Sequence, residues 1–287
     1  MATQKHAFLI LARAVDQSLC NLITALDDVN NAIFVHVDRK SGTYQQPTAQ
    51  HAQLIFTRRI TVGWGAFSLI EAELILLAAA TQQDHYDYYH LLSEADLPLK
   101  SNTALHDFFA MQRQEFVSLA TVNDPAVLDR IRYYYPFQER VGKQRNLFWI
   151  LQKITLLIQK GLRIDRLRQT DIQTVAKGAQ WFSITDAFAR YVLSQTEWLR
   201  QTFSNGQAVD EVFIQTLLLN SHFKCNISDE KAGDLRLTIW QGTSSPATLT
   251  MVERPQLQSS TKLFARKFDQ QVDQQVIAAV LKQINGV

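Results

Sequence analysis

Cysteine is scarce in this chain. Only Cys20 and Cys225 occur among 287 residues, too few for a disulfide framework, and they read as two reduced thiols. Glycine and proline number 10 and 6, which excludes collagen-like and low-complexity chains. Neither a P-loop nor a G-x-G-x-x-G pattern is present. Gly63-Trp64-Gly65 lacks the third glycine and follows no strong strand, so nucleotide binding by those glycine loops loses support. A G-x-S-x-G nucleophile elbow and an H-E-x-x-H zinc site are missing too. His85 and His90 stand five apart with no thiol nearby and read as satisfied or surface histidines. There is no excess of one charge. Lys and Arg number 29 against 27 acidic residues, a formal net charge of +2, which argues against a general nucleic-acid binder. The longest apolar run, Leu74 to Ala80, falls far short of the ~20 residues needed to cross a bilayer. No secretory h-region follows Lys5 and His6. The expected location is cytoplasmic, with any membrane contact peripheral.

What is present suits a packed domain. Hydrophobic residues make up 46% and charged residues 20%, outside the disordered range. Apolar bursts at Ala7 to Ala12, Ala32 to Val37, Leu54 to Phe56, Tyr88 to Leu92 and Phe116 to Ala120 read as strands. Between them, helices are expected over Asp16 to Leu26, with Asp16 as N-cap, and over Phe67 to Thr81. Further on, Trp181 to Ile184 and Arg236 to Trp240 read as strands. Helical patterns cover Leu147 to Ile158, Asp186 to Leu199, Val209 to Leu219 and Val272 to Ile284. This alternation predicts an α/β fold with a mainly parallel sheet flanked by helices. Ligands of such sheets sit at the carboxyl ends of the strands, which points to Arg13, Asp38, the segment around Gly63 and Ser93 to Asp96.

Carboxylates and cations are the chemistry on offer. Asp38 ends a buried strand beside Arg39 and Lys40 and reads equally as a turn cap or a ligand contact. Glu94 and Asp96 form an acid-x-acid pattern after a strand, suited to a divalent cation on a diphosphate or to plain turn capping. Asp210 and Glu211 read as first-turn acids favoured by the helix dipole, or as a base for an attacking hydroxyl. Phe264-Ala265-Arg266-Lys267-Phe268 pins two cations between aromatics, a pair suited to a diphosphate. Trp181 offers a flat face to a sugar ring or a filler for the core. The stretch Arg140 to Arg168 carries eight cations with Asp165 as its only acid. It reads as a helix with a solvated basic side, or, with Phe148 and Trp149, as a seat on an anionic leaflet.

Seven segments in register then resemble one family. They are IFVHVDRK (33–40), VGWGAFSLIEAEL (62–74), YHLLSEADLPLKS (89–101), KGAQWFSIT (177–185), Asp210 to Phe213, Leu235-Arg236 with Trp240, and LFARKF (263–268). Together they resemble the core-2/I-branching β-1,6-N-acetylglucosaminyltransferase and protein xylosyltransferase family in its compact bacterial form. That resemblance implies a GT-A-type single catalytic domain, with residues 1–120 as nucleotide-sugar half and 121–287 as acceptor and catalytic half. It also implies inverting transfer of N-acetylglucosamine or xylose from a UDP-sugar to a glycan or lipid-linked glycan hydroxyl, in bacterial cell-surface polysaccharide synthesis. Asp38 is then expected at the uridine, Trp64 near the uracil and Glu211 as the base. Arg266 and Lys267 are expected on the diphosphate, and Arg236 less closely because its spacing differs. Glu94, Asp96, Trp181 and Asp210 are candidates for the sugar or acceptor. No obligatory metal is expected. Where relatives show S-G-x-D, however, this chain has Ser93-Glu94-Ala95-Asp96, so any Mn²⁺ or Mg²⁺ would fall on Glu94 and Asp96. The alternative function is a glycan-binding or scaffolding protein without turnover. A hydrolase would need two carboxylates facing across the bond.

Overall fold

The computed structural model describes residues 4–142, 145–242 and 245–286. The chain begins with β1 (His6–Ala12), α1 (Gln17–Ala25), β2 (Asn31–Val37), β3 (Gln53–Phe56), α2 (Phe67–Gln83), β4 (Tyr88–Ser93), β5 (Asp96–Pro98) and α3 (Asn102–Ala110). It continues through β6 (Phe116–Val117), β7 (Thr121–Val122), α4 (Pro125–Arg132), α5 (Gln138–Val141), α6 (Leu147–Gly161), β8 (Ala176–Lys177) and β9 (Phe182–Thr185). The rest is α7 (Asp186–Ser194), α8 (Thr196–Phe203), α9 (Phe213–Leu219), β10 (Arg236–Thr238), α10 (Arg254–Ser259), β11 (Phe264–Arg266) and α11 (Gln274–Ile284).

Six strands form the central sheet in the order β3-β2-β1-β4-β9-β6. The first four are mutually parallel, and β9 runs antiparallel to both β4 and β6. The expected mainly parallel α/β sheet is therefore present. Strands β1, β2 and β4 are buried along their whole length, which is why they read as continuous apolar runs: both faces of a parallel sheet are covered by helices. Alternate side chains feed two cores. Ala7, Leu9 and Leu11 of β1 join Phe34, Tyr89 and the face of α2 on one side. Phe8, Ile10 and Ala12 join Leu19, Ile33 and, from the far end of the chain, Val276 and Val280 of α11 on the other.

A small second sheet, β10-β11-β5, ties the C-terminal segment to the end of β4 through the antiparallel pair Arg266↔Asp96. Because β5 follows β4 directly, this pairing brings the basic pair to the acidic one.

Local signals explain most boundaries. Asp16 does cap α1, accepting from the Leu19 amide at 3.1 Å, and Asp273 caps α11, which therefore starts at Gln274. Several expected limits shift. The pattern over 186–199 is two helices, α7 and α8, meeting at Gln195. The strand expected over 116–120 stops at Val117 because the chain turns there, and the Ala120 amide bonds the Lys177 carbonyl instead. The helix expected from Val209 begins only at Phe213. Val209–Glu211 form a 3-10 turn, entered through Ala208 at φ 48°. The Ala208 amide bonds Gly65 O at 2.7 Å and Glu211 O accepts from Gly178 N at 2.9 Å. Tertiary bonds at both ends thus outweigh helix propensity. Both cysteines are free.

Two buried histidines inside the sheet bond each other, and His6 Nε2 has no hydrogen-bond partner. His6 and His90 meet ring to ring at 2.9 Å, and His90 also bonds Ser183 Oγ at 2.8 Å. Burial holds His6 down at about 3 and His90 well below the ordinary histidine value. His85 is exposed and lies 3.3 Å from Asp186.

Candidate active site

The carboxyl ends of β1, β2 and β4 open on one edge of the sheet, and most of the polar residues singled out above gather there. Just past β2, Asp38 caps the turn Arg39–Ser41, accepting from the Lys40 amide at 2.9 Å and meeting Lys40 Nζ at 3.2 Å. Lys40 Nζ also donates to Val62 O at 2.7 Å, which leads into Gly63-Trp64-Gly65. Trp64 is half exposed, and its carbonyl accepts from Gln138 Nε2. Gly65 has φ +62°, and an added Cβ there would lie 3.1 Å from Ala208 Cα. The tryptophan loop and the Asp210–Glu211 turn are therefore in direct backbone contact.

Glu211 is held by two cations that no local pattern announces. Arg130 of α4 donates to its carboxylate at 2.9 Å and Lys177 of β8 lies at 3.4 Å, with 38% of the Glu211 side chain exposed. Arg130 and Lys177 orient the carboxylate and balance its charge while leaving one edge open to solvent. Behind Lys177, Gly178 is required by crowding, since a Cβ there would sit 1.9 Å from the Ser118 carbonyl oxygen.

Asp210 faces inward. It is 9% exposed, its Oδ1 has no hydrogen-bond partner, and burial with the neighbouring Glu211 charge pushes it up to about 7. Beneath it lies Glu73 of α2, fully buried, bonded through Oε1 to Gln180 Nε2 at 2.8 Å. Burial is the main reason its carboxyl is held well above the usual range, with Asp210 adding to it. The sign follows directly. The unfolded chain releases this proton at ordinary carboxylate pH while the folded chain keeps it, so folding is penalised increasingly as pH rises above ~4.5. Glu73→Gln keeps the acceptor for Gln180 and removes the titration. The variant should gain thermal stability over the parent as pH is raised from about 5 to about 8, a trend that melting curves across that range would show; a constant offset would mean that Glu73 is ionised in the fold.

The second cluster surrounds the small sheet. Asp96 is fully buried and accepts from the Ser93 amide and hydroxyl at 2.9 and 3.1 Å. Arg266 Nη1 lies 3.5 Å from its Oδ1, too long for a good hydrogen bond. The Arg266 guanidinium stacks on Trp181, 3.9 Å from the ring centroid, and its Nε and Nη1 have no acceptor. The antiparallel register of β9 places Trp181 at the carboxyl end of β4. Lys267 follows, half-buried, with no ion pair among the described residues. Glu94 is engaged by Arg13, Nε to Oε1 at 2.7 Å.

Arg236 is placed differently from the rest. It is 5% exposed, donates through Nη2 to Leu91 O at 2.5 Å and to Phe182 O at 3.3 Å, bonds Asp234 O through Nη1, and stacks on Phe264 at 5.2 Å. Its guanidinium joins the ends of β4 and β9, its Nε has no hydrogen-bond partner, and burial brings it down to about 10.

The structure thus brings Glu211, Asp210 and Trp64 together, and Asp96, Glu94, Arg266 and Trp181 together. The segment from Lys177 to Trp181 links the two groups. Asp38 joins them through Lys40 and Val62. Arg130 and Lys177 were missed as site residues because only tertiary contact puts them on Glu211. Among the described residues no three or more His, Cys, Asp or Glu side chains are grouped to hold a metal.

The sequence profile of the Core-2/I-Branching enzyme family matches residues 6–262. This chain belongs to that family. Membership implies glycosyltransferase activity, with a sugar donor and a glycan acceptor in general terms, and the mixed, mostly parallel sheet is consistent with a GT-A-type fold. The match ends at Lys262 and leaves Arg266 and Lys267 outside it. None of the curated proteins compared with the chain matches it.

Proposed function

We propose that this Core-2/I-branching family member is an inverting transferase. It moves N-acetylglucosamine or xylose from a UDP-sugar to a hydroxyl of a glycan or lipid-linked glycan, on the cytoplasmic side in bacterial cell-surface polysaccharide synthesis. The observation that carries this reading is Arg266: a cation stacked on Trp181, with two donors lacking an acceptor, beside the carboxyl ends of the sheet. A diphosphate is the ligand chemistry that would satisfy it.

In the proposed reaction the acceptor oxygen attacks the anomeric carbon as the bond from that carbon to the β-phosphate oxygen breaks. The hydroxyl proton passes to Glu211, and the electron pair leaves with UDP. Negative charge grows on the departing phosphate, and Arg266 and Lys267 stabilise it from fixed positions. Asp38 and Trp64 take the uridine end, Trp181 the sugar face. Asp96 positions Arg266, and Arg236 supports the strand ends beneath. Glu94 and Asp210 border the sugar and acceptor space. No metal is obligatory in this scheme.

Calorimetric titration of UDP in EDTA, then with Mn²⁺ or Mg²⁺, tests it on the parent and on Lys267→Ala. Metal-free binding is expected, weakened roughly 10–100-fold in the variant, the value of a charge-assisted hydrogen bond. Binding only with metal would move the diphosphate to Glu94 and Asp96. No binding in either buffer would overturn the reading in favour of a glycan-binding protein without turnover.

A further inference from the structure

Helix α6 is turned inside out. Its inward side is anchored by two buried glutamines: Gln152 Nε2 donates to Gln138 Oε1 at 3.0 Å, and Gln159 exchanges bonds with the Tyr134 main chain at 2.7 and 2.9 Å. Its outward side is apolar. Leu147, Ile150, Ile154, Leu157, Ile158 and Leu162 are between 48% and 71% exposed, and at 100° per residue they share one stripe along a helix of roughly 22 Å. Phe148 and Trp149, expected above to supply the apolar contact, do not lie on it. Phe148 packs on Phe137 and under Arg140, and Trp149 is flanked by Arg145 and Lys153.

We infer that α6 is a docking helix that lies flat in the headgroup region of an anionic lipid leaflet, with the aliphatic stripe inserted. Charge decides the occupant. Arg145, Lys153, Lys160 and Arg163 are exposed around the stripe. Asp165, the only acid from Arg140 to Arg168, is engaged with Arg132 and Arg168. Arg166 is excluded from this role because it donates to the carbonyls of Ile131, Gln201 and Thr202, and Lys143 lies outside the described residues. An apolar stripe bordered by cations suits anionic lipid. A second copy seated stripe to stripe would bring the same cations together, and the acids beside them, Asp129 on Lys160 at 3.5 Å and Asp165, are already engaged by cations of their own chain. Among the described residues no helix is long and apolar enough to cross a membrane, so contact through α6 is interfacial.

The bond from Gln152 to Gln138, and from Gln138 to the Trp64 carbonyl, seats the inward side of α6 against the tryptophan loop, with the docked stripe on the far side of the helix. On the transferase reading, and only there, this would hold the tryptophan loop about one helix diameter, ~10 Å, from a leaflet that carries a lipid-linked acceptor.

Flotation with vesicles of phosphatidylcholine alone and of phosphatidylcholine with phosphatidylglycerol tests the docking, independently of UDP binding. The protein should float with the anionic vesicles and be released by salt. Ile150→Gln/Ile154→Gln/Leu157→Gln should reduce partition on the order of 100-fold. Lys153→Gln/Lys160→Gln, which gives up the exposed Lys160–Asp129 pair and the contacts to Trp149 and Tyr133 but leaves the aliphatic stripe in place, should reduce it by about five-fold per cation. Failure to float on anionic vesicles, or flotation undiminished in the lysine variant, overturns the inference. So does a dimer in sedimentation analysis that the glutamine variant dissociates, since the stripe would then be a contact between copies.

Discussion

Glu211→Gln is expected to lower sugar transfer by ~10²–10⁴-fold, the contribution of a positioned general base, while leaving UDP affinity unchanged. The substitution keeps the shape and removes only the proton acceptor, and the expected UDP contacts lie on Arg266, Lys267, Asp38 and Trp64. Arg130 and Lys177, which hold the carboxylate at 2.9 and 3.4 Å, would lose a charge partner at a half-exposed site. Any effect on folding should therefore be small. Turnover measured beside a UDP titration on the same samples separates the two quantities. If Glu211→Gln loses no more than a few-fold while Asp210→Asn loses the larger factor, the base is Asp210, whose carboxyl burial already pushes up to about 7.

The second large effect is on stability. Replacing Arg236 by Leu should destabilise the fold by about 3–5 kcal/mol, the usual result of deleting one member of a buried charged network. The Leu91 and Phe182 carbonyls would lose their donor, and Asp234, itself 9% exposed, would lose the guanidinium beside it. For a chain of this length the melting temperature should fall on the order of 10 °C. Arg236→Lys should recover only part of the loss, because one ammonium cannot reproduce the planar fork that reaches three carbonyls. The distinction from a ligand role is direct. Molecules that remain folded should bind UDP with parental affinity, whereas a contact to the diphosphate would show as lowered affinity in those same molecules.

Much of this architecture is legible in one dimension because its causes are local. The strands β1, β2 and β4 are apolar along their full length since both faces are covered, and Asp16 sits one residue ahead of the helix it caps. The family motifs are short contiguous strings, so their order along the chain carries the GT-A expectation and the residues Asp38, Trp64 and Glu211 without any coordinates.

Other features depend on partners far apart in sequence. The start of α9 at Phe213 is set by Gly65 and Gly178, and no propensity at Val209 predicts it. Arg130 and Lys177 meet Glu211 at sequence separations of 81 and 34, a proximity that periodicity does not encode. Arg236 and Arg266 look alike as isolated cations near the C-terminus. Yet strand pairing buries the first against three carbonyls with only Nε unpartnered and leaves the second stacked on Trp181 with both Nε and Nη1 unpartnered. Helix α6 shows the same division. Its sequence determines an amphipathic helix rich in cations, because apolar residues recur at helical spacing. Which side faces out was decided only by the tertiary structure, where Gln152 and Gln159 find buried partners on Gln138 and Tyr134 and thereby turn the leucines and isoleucines to the surface.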